Sequence, residues 1–160
     1  MKSLTLDPHE LQIAAFIGCR RRIETLKGSL KDAHGFDGGG AWDIDVMGAA
    51  AEMALAKMLN IYWCGDVNTF KLPDVGSLQV RSTSLNNGSL IVRQNDSDND
   101  TFVLMLFQRP STFCFGGWMK GVDAAQRKYR RAPNGRPPAF FVPQEDLNQS
   151  FKKLQAIVFP

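Results

Sequence analysis

The 160-residue chain is 44% hydrophobic and 22% charged, a balance that excludes an intrinsically disordered segment and is sufficient for one packed domain. Its formal net charge of +3 is too small to argue for a polyanionic partner, so the placement of the charges carries that question. Cys19, Cys64 and Cys114 are odd in number and widely spaced, and the only histidines are His9 and His34, which argues against a disulfide framework and against tetrahedral zinc; buried thiols in a reducing, cytoplasmic setting are expected.

The first ten residues include Asp7, Pro8 and Glu10 and lack the apolar run of a secretory leader, and no later stretch approaches the roughly 18 apolar residues of a membrane span. Asp7-Pro8 instead opens a helix, with Asp7 capping the first turn. Leu11, Ala14, Ala15, Ile17 and Ile23 form its apolar stripe, and Gly28 marks its end. From His34 to Gly40 the glycines read as a loop. A second helix is expected from an N-cap at Asp43 or Asp45 to Leu59, with Asn60 as the residue that stops it.

Beyond Asn60 the chain changes to short β-branched and aromatic runs. Strands are expected at Thr69 to Lys71, Leu78 to Ser84, Ser89 to Arg93, Phe102 to Phe107, Phe113 to Lys120 and Ala139 to Val142. Asn86-Asn87-Gly88 reads as a hairpin turn between the second and third. The uninterrupted apolar run Phe102 to Phe107 predicts a strand buried on both faces at the centre of the sheet. A short helix over Val122 to Arg130 and a terminal helix over Gln144 to Ala156 complete a single α/β domain.

Three groups of residues bear on chemistry. Glu52 shares a helical face with Gly48, Leu55, Ala56 and Leu59, and an ionised carboxylate there needs a partner or a metal; alternatively it lies at the edge of the stripe and either reaches solvent or pairs with a lysine. In Pro73-Asp74-Val75-Gly76-Ser77-Leu78-Gln79-Val80-Arg81, Asp74 sits where the chain turns into a strand, and Gln79 and Arg81 point to one face of it. Asp74, Gln79, the carbonyl of Val80 and Glu52 are a hard-oxygen set of the kind that Mg²⁺ takes, with Mn²⁺ as a substitute; the plain alternative is an amphipathic strand with a polar outer face. The third group is cationic: Arg20, Arg21 and Arg22 on the first helix, and Lys120, Arg127, Lys128, Arg130, Arg131 and Arg136 downstream, which suit phosphates or a solvated face. Trp118, Tyr129 and Phe140 lie among them and either stack on bases or pack in the core.

A helical Glu, then Pro-Asp, then a strand bearing acid-x-Lys resembles the PD-(D/E)xK, or restriction-endonuclease-like, nuclease superfamily, with Glu52, Pro73-Asp74 and Gln79-Val80-Arg81 as the matching positions. Over Asp43 to Phe107 the order of elements is similar too, and the end of the chain looks like that of small phage-type members. The resemblance implies a central mixed β-sheet flanked by α-helices and metal-dependent hydrolysis of DNA phosphodiesters. Glu52, Asp74, Gln79 and Val80 would hold Mg²⁺, and Arg81 would meet the phosphate. Gln79 stands where the family has an acid, and Arg81 where it has Lys. Arg cannot surrender its proton near neutral pH, so it serves as a clamp rather than a base. A non-catalytic DNA-binding protein on the same fold is the alternative, and either is compatible with a homodimer.

Overall fold

The computed structural model describes residues 2–28, 40–67, 72–133 and 136–159. It is a mixed α/β architecture. The strand expected over Thr69 to Lys71 and the loop from His34 to Gly39 lie outside the described residues.

Strand β1 (Ser3–Thr5) precedes helix α1 (Pro8–Lys27), whose start is a capping box. Asp7 Oδ1 accepts the Glu10 backbone N–H at 2.9 Å, and Glu10 Oε2 accepts the Asp7 N–H at 2.8 Å, so two otherwise orphaned donors are satisfied reciprocally. Helix α2 (Ala41–Leu59) has its N-cap at Gly40, at a φ of 113° and three to five residues before the expected caps, and stops at Asn60, whose φ of 57° is left-handed. The two helices run antiparallel, tied by Arg22 to Asp45 at one end and Lys57 to Glu10 at the other. Between these ties the backbones touch: a Cβ on Gly18 would lie 2.5 Å from Val46 Cα.

Strands β2 (Leu78–Thr83), β4 (Thr101–Gln108) and β5 (Thr112–Lys120) join β1 in a mixed sheet of order β1-β5-β4-β2. β4 is parallel to β2 and antiparallel to β5. The register shifts between Leu104 and Met105, leaving Gly116 of β5 without a partner beside Gly117, whose φ is 120°. Strands β3 (Leu90–Arg93), β6 (Arg130–Arg131) and β7 (Ala139–Val142) form a separate antiparallel sheet of order β3-β7-β6. The expected hairpin at Asn86-Asn87-Gly88 is therefore a crossing between two sheets. Its turn chemistry is indistinguishable from a hairpin's until the partner of each strand is known.

β4 is the middle of the molecule. Val103 and Met105 pack toward α1, α2 and the terminal helix α4 (Phe151–Val158), while Phe102, Leu104 and Leu106 pack against β3 and β7. Burial on both faces explains why its sequence is continuously apolar. The helix expected over Val122 to Arg130 shrinks to α3 (Gly121–Ala124) and a 3₁₀ turn at Arg127–Tyr129. The terminal helix is likewise broken: Gln144–Asp146 is a 3₁₀ turn, and α4 starts only after Ser150, whose side chain caps it. The intervening backbone of Asn148 instead bridges to Trp118, with N–H to O distances of 3.1 and 2.9 Å. No described helix is long and apolar enough to cross a membrane.

Because backbone rather than a flexible side chain faces Gly18, Gly18→Ala forces α1 and α2 apart. A loss of about 1–3 kcal/mol is expected, measured as a lower urea midpoint with unchanged slope.

Candidate functional site

Helix α2 presents a run of small residues, Ala49, Ala50, Ala51, Ala54 and Ala56, to the core, and Glu52 is buried among them at 5% exposure. Its charge is met from α1. Arg21 Nη1 lies 2.6 Å from Glu52 Oε1 and Nη2 2.8 Å from Oε2, a bidentate pair, and Trp63 Nε1 donates to Oε2 at 3.2 Å. Arg21 Nε donates to the Asp66 carbonyl at 2.9 Å, so one guanidinium ties α1, α2 and the segment after α2 together. Burial pulls the Arg21 pKa down, but the Glu52 bonds and charge outweigh it and leave the pKa raised.

The second carboxylate comes from the turn before β2. The Asp74 and Val75 N–H groups both donate to the Leu78 carbonyl, at 2.9 and 3.1 Å, and Gly76 takes a φ of 60° to close the turn. Asp74 Oδ2 then accepts the Val80 N–H at 2.7 Å. β2 is an edge strand, so this bond also caps a backbone donor that no neighbouring strand in the sheet order takes.

Arg81 completes the cluster. Its Nη1 is 3.1 Å from the Val80 carbonyl and 4.0 Å from Asp74 Oδ2, and its Nη2 is 3.0 Å from Asp96 Oδ2. Asp96 also accepts the Arg93 N–H at 2.8 Å, and the Arg81 guanidinium sits 5.1 Å over the Phe102 ring. Burial and then the Glu52 charge push the Asp74 carboxyl up to about 6, against the Val80 N–H and the charges of Arg81 and Arg21. Glu52 and Asp74 are thus electrostatic neighbours, and two guanidiniums together leave Asp74 short of positive charge.

Gln79 stands apart. It pairs in register with Phe102 and shares the face of Arg81 and Leu104, whereas Leu78 and Val80 face α2. Gln79 makes no described hydrogen bond to Glu52, Asp74 or Arg81. Two surface grooves, of about 500 and 1060 Å³, are lined by none of these four residues.

Of the cationic residues singled out on α1, only Arg20 is exposed. Arg21 and Arg22 are internal fasteners: Arg22 is 7% exposed, with Nε 2.7 Å from Asp45 Oδ2 and Nη2 3.2 Å from the Ala41 carbonyl. A signal for this existed, since Arg21 and Arg22 follow Ala14 by seven and eight residues and share the close-packed face that includes Gly18. Lys120, Arg127, Lys128, Arg130, Arg131 and Arg136 are exposed. The aromatics among them are engaged: Trp118 donates to the Ser150 carbonyl, Tyr129 is buried with its hydroxyl on Asp146, and Phe140 packs on the second core. Cys114 is buried as expected, but Cys64 is exposed, its thiol 3.1 Å from Asp66 Oδ2.

Among the described residues no three His, Cys, Asp or Glu side chains cluster to hold a metal. Of the expected oxygen set, Asp74 and the Val80 carbonyl meet Arg81 at the edge of β2, and Glu52 is held by Arg21 and Trp63. The hydrogen bond and ion pair of Asp74 with described residues both fall on Oδ2. Comparison of the chain with protein-family models, with curated proteins and with solved structures finds no match.

An acid whose folded pKa is raised binds its proton more tightly in the folded state, so its favourable contribution is complete below about 4 and lost as pH rises through about 6. Asp74→Asn removes that loss. The variant should be more stable than the wild type at pH 7.5, by on the order of 1–3 kcal/mol, and in chemical melts the gap should narrow at about pH 4.5 and close below about pH 4.

Proposed function

We propose that the chain is a divalent-metal-dependent deoxyribonuclease, hydrolysing phosphodiester bonds in DNA on a restriction-endonuclease-like fold. The observation that supports this reading is that Glu52 and Asp74, from separate elements, each carry a largely buried carboxylate, and the Glu52 charge helps to raise the Asp74 pKa. Such a pair costs stability, and groups held at that cost cluster at functional sites.

In this reading Asp74, the Val80 carbonyl and Glu52 hold Mg²⁺ or Mn²⁺, which supplies charge neutralisation and activation of water. Gln79 would need to turn from the opposite face to join them. Arg81 binds the scissile phosphate and stabilises negative charge developing on it, keeping its own proton throughout.

Strand register supports a phosphate-binding rim beside this site. Lys120, at the end of β5, pairs with Thr101, the first residue of β4, which pairs with Leu78, the first of β2. On the second sheet Arg131 pairs with Ala139, and Ala139 with Arg93, at the end of β3 that leads into the Asp96 turn. The exposed Lys120, Arg130 and Arg131 thus share one end of the two sheets with Asp74 and Asp96, where a DNA backbone would be held by charge. A second reading, a DNA-binding protein without catalysis, is favoured by one observation: guanidiniums already contact Glu52, Asp74 and the Val80 carbonyl.

Labelled single-stranded, duplex and branched DNA incubated with Mg²⁺, Mn²⁺ or EDTA separates the two. Cleavage with either metal that disappears in EDTA and in Asp74→Ala is expected; binding without cleavage in every arm would leave the second reading. For either, Arg130→Glu with Arg131→Glu should weaken DNA binding by on the order of tenfold or more at low salt and flatten the salt dependence, and unchanged affinity would remove β6 from the contact surface.

A further inference from the structure

The Arg21 guanidinium spends three of its five N–H groups on a site component or its frame: one each from Nη1 and Nη2 on the two oxygens of Glu52, and Nε on the Asp66 carbonyl. It reaches the site from α1, outside the strand motif that supplies Asp74 and Arg81. Its partner is buried and would be an uncompensated charge without it. A divalent ion that used Glu52 as a ligand would approach oxygens that Arg21 already holds at 2.6 and 2.8 Å. Two cations cannot share those lone pairs and stay close without repulsion.

We propose that Arg21 is the resident cation of the site, holding the Glu52 carboxylate when no metal is present and competing with a divalent ion for it. This rests on the metal-dependent reading above and adds a restraint to it. Arg21 is a positioning residue: it keeps Glu52 aimed, and it sets the metal concentration at which Glu52 can leave its bidentate grip. The geometry gives the competition a structural cost. Releasing Glu52 frees the guanidinium that also anchors Asp66, so metal entry loosens the tie between α1 and the segment after α2.

The test is calorimetric titration with MnCl₂ together with thermal melts in its absence and presence, on the full chain. Arg21→Gln removes the competing charge and leaves Glu52 with the Trp63 N–H. Its apo form should melt lower than the wild type, Mn²⁺ should restore more of the melting temperature than it adds to the wild type, and the Mn²⁺ Kd should fall about tenfold. Arg21→Lys keeps the charge without the fork and should bind Mn²⁺ with intermediate affinity; if the glutamine variant does not fold, the lysine variant still requires a tighter Kd than the wild type. A lower apo melting temperature with an unchanged or weaker Kd would show that Arg21 only fastens the helices, overturning the proposal while the wild type's own Mn²⁺ binding leaves the nuclease reading standing. Absence of Mn²⁺ binding in wild type and variants alike would overturn both.

Discussion

Glu52 is a carboxylate buried where α2 meets α1, and most of what surrounds it follows from that placement. A charge at 5% exposure survives only with bonds to both oxygens, and Arg21 and Trp63 provide them. For Arg21 to reach, α1 has to lie directly on α2, which the missing side chain at Gly18 permits. For Trp63 to reach, the chain leaving α2 has to fold back along the helix, and the left-handed turn at Asn60 sends it there. The same carboxylate then acts at a distance on Asp74, so one buried charge couples helix packing to the state of the strand turn.

β4 plays the corresponding part for the sheets. Because it is buried on both faces, it serves two cores: Val103 and Met105 belong to the helical side, Phe102 and Leu104 to the side of β3 and β7. The parallel neighbour β2 inherits this division, so Val80 turns toward α2 while Arg81 turns toward Phe102. Asp74, before the strand begins, is bound to neither face. It reaches the edge of β2 through the Val80 N–H and stands between the Glu52 side and the Arg81 side.

Local signals in the sequence were strong where one residue decides a local geometry. Asp7-Pro8 and Asn60 set their helix ends, and the apolar run from Phe102 set the central strand. Signals failed where the outcome depends on a distant partner. Asn86-Asn87-Gly88 has hairpin chemistry, yet β3 leaves β2 for β7, and the short β1 is a strand only because β5 offers it an edge. The start of α2 escaped because Gly40, rather than either aspartate, takes the cap, and Asp45 is needed by Arg22. At the site, the alternation of β2 gave the shared face of Gln79 and Arg81, and the small-residue context of α2 gave the burial of Glu52. The ownership of Arg21 was hidden, since three consecutive arginines read as a surface until one face of the helix is known to be packed.

The charge balance of the cluster bears on what it can accept. Three carboxylates, Glu52, Asp74 and Asp96, face two guanidiniums, Arg21 and Arg81. Glu52 takes both Nη groups of the first guanidinium, and Asp96 takes the close bond of the second, leaving Asp74 with an ion pair at 4.0 Å. The deficit therefore collects on one residue, and it is Asp74 whose pKa rises. Below about pH 6 a proton cancels it, and above that pH the site carries an excess negative charge that a cation can cancel instead. With an acid at position 79 turned toward the site the excess would be larger and metal affinity less dependent on Arg21. With Gln79 neutral and its side chain on the far face, the excess rests on Asp74; under the proposed metal-dependent reading a divalent ion would be drawn there, and Arg21 on α1 would compete with it for Glu52.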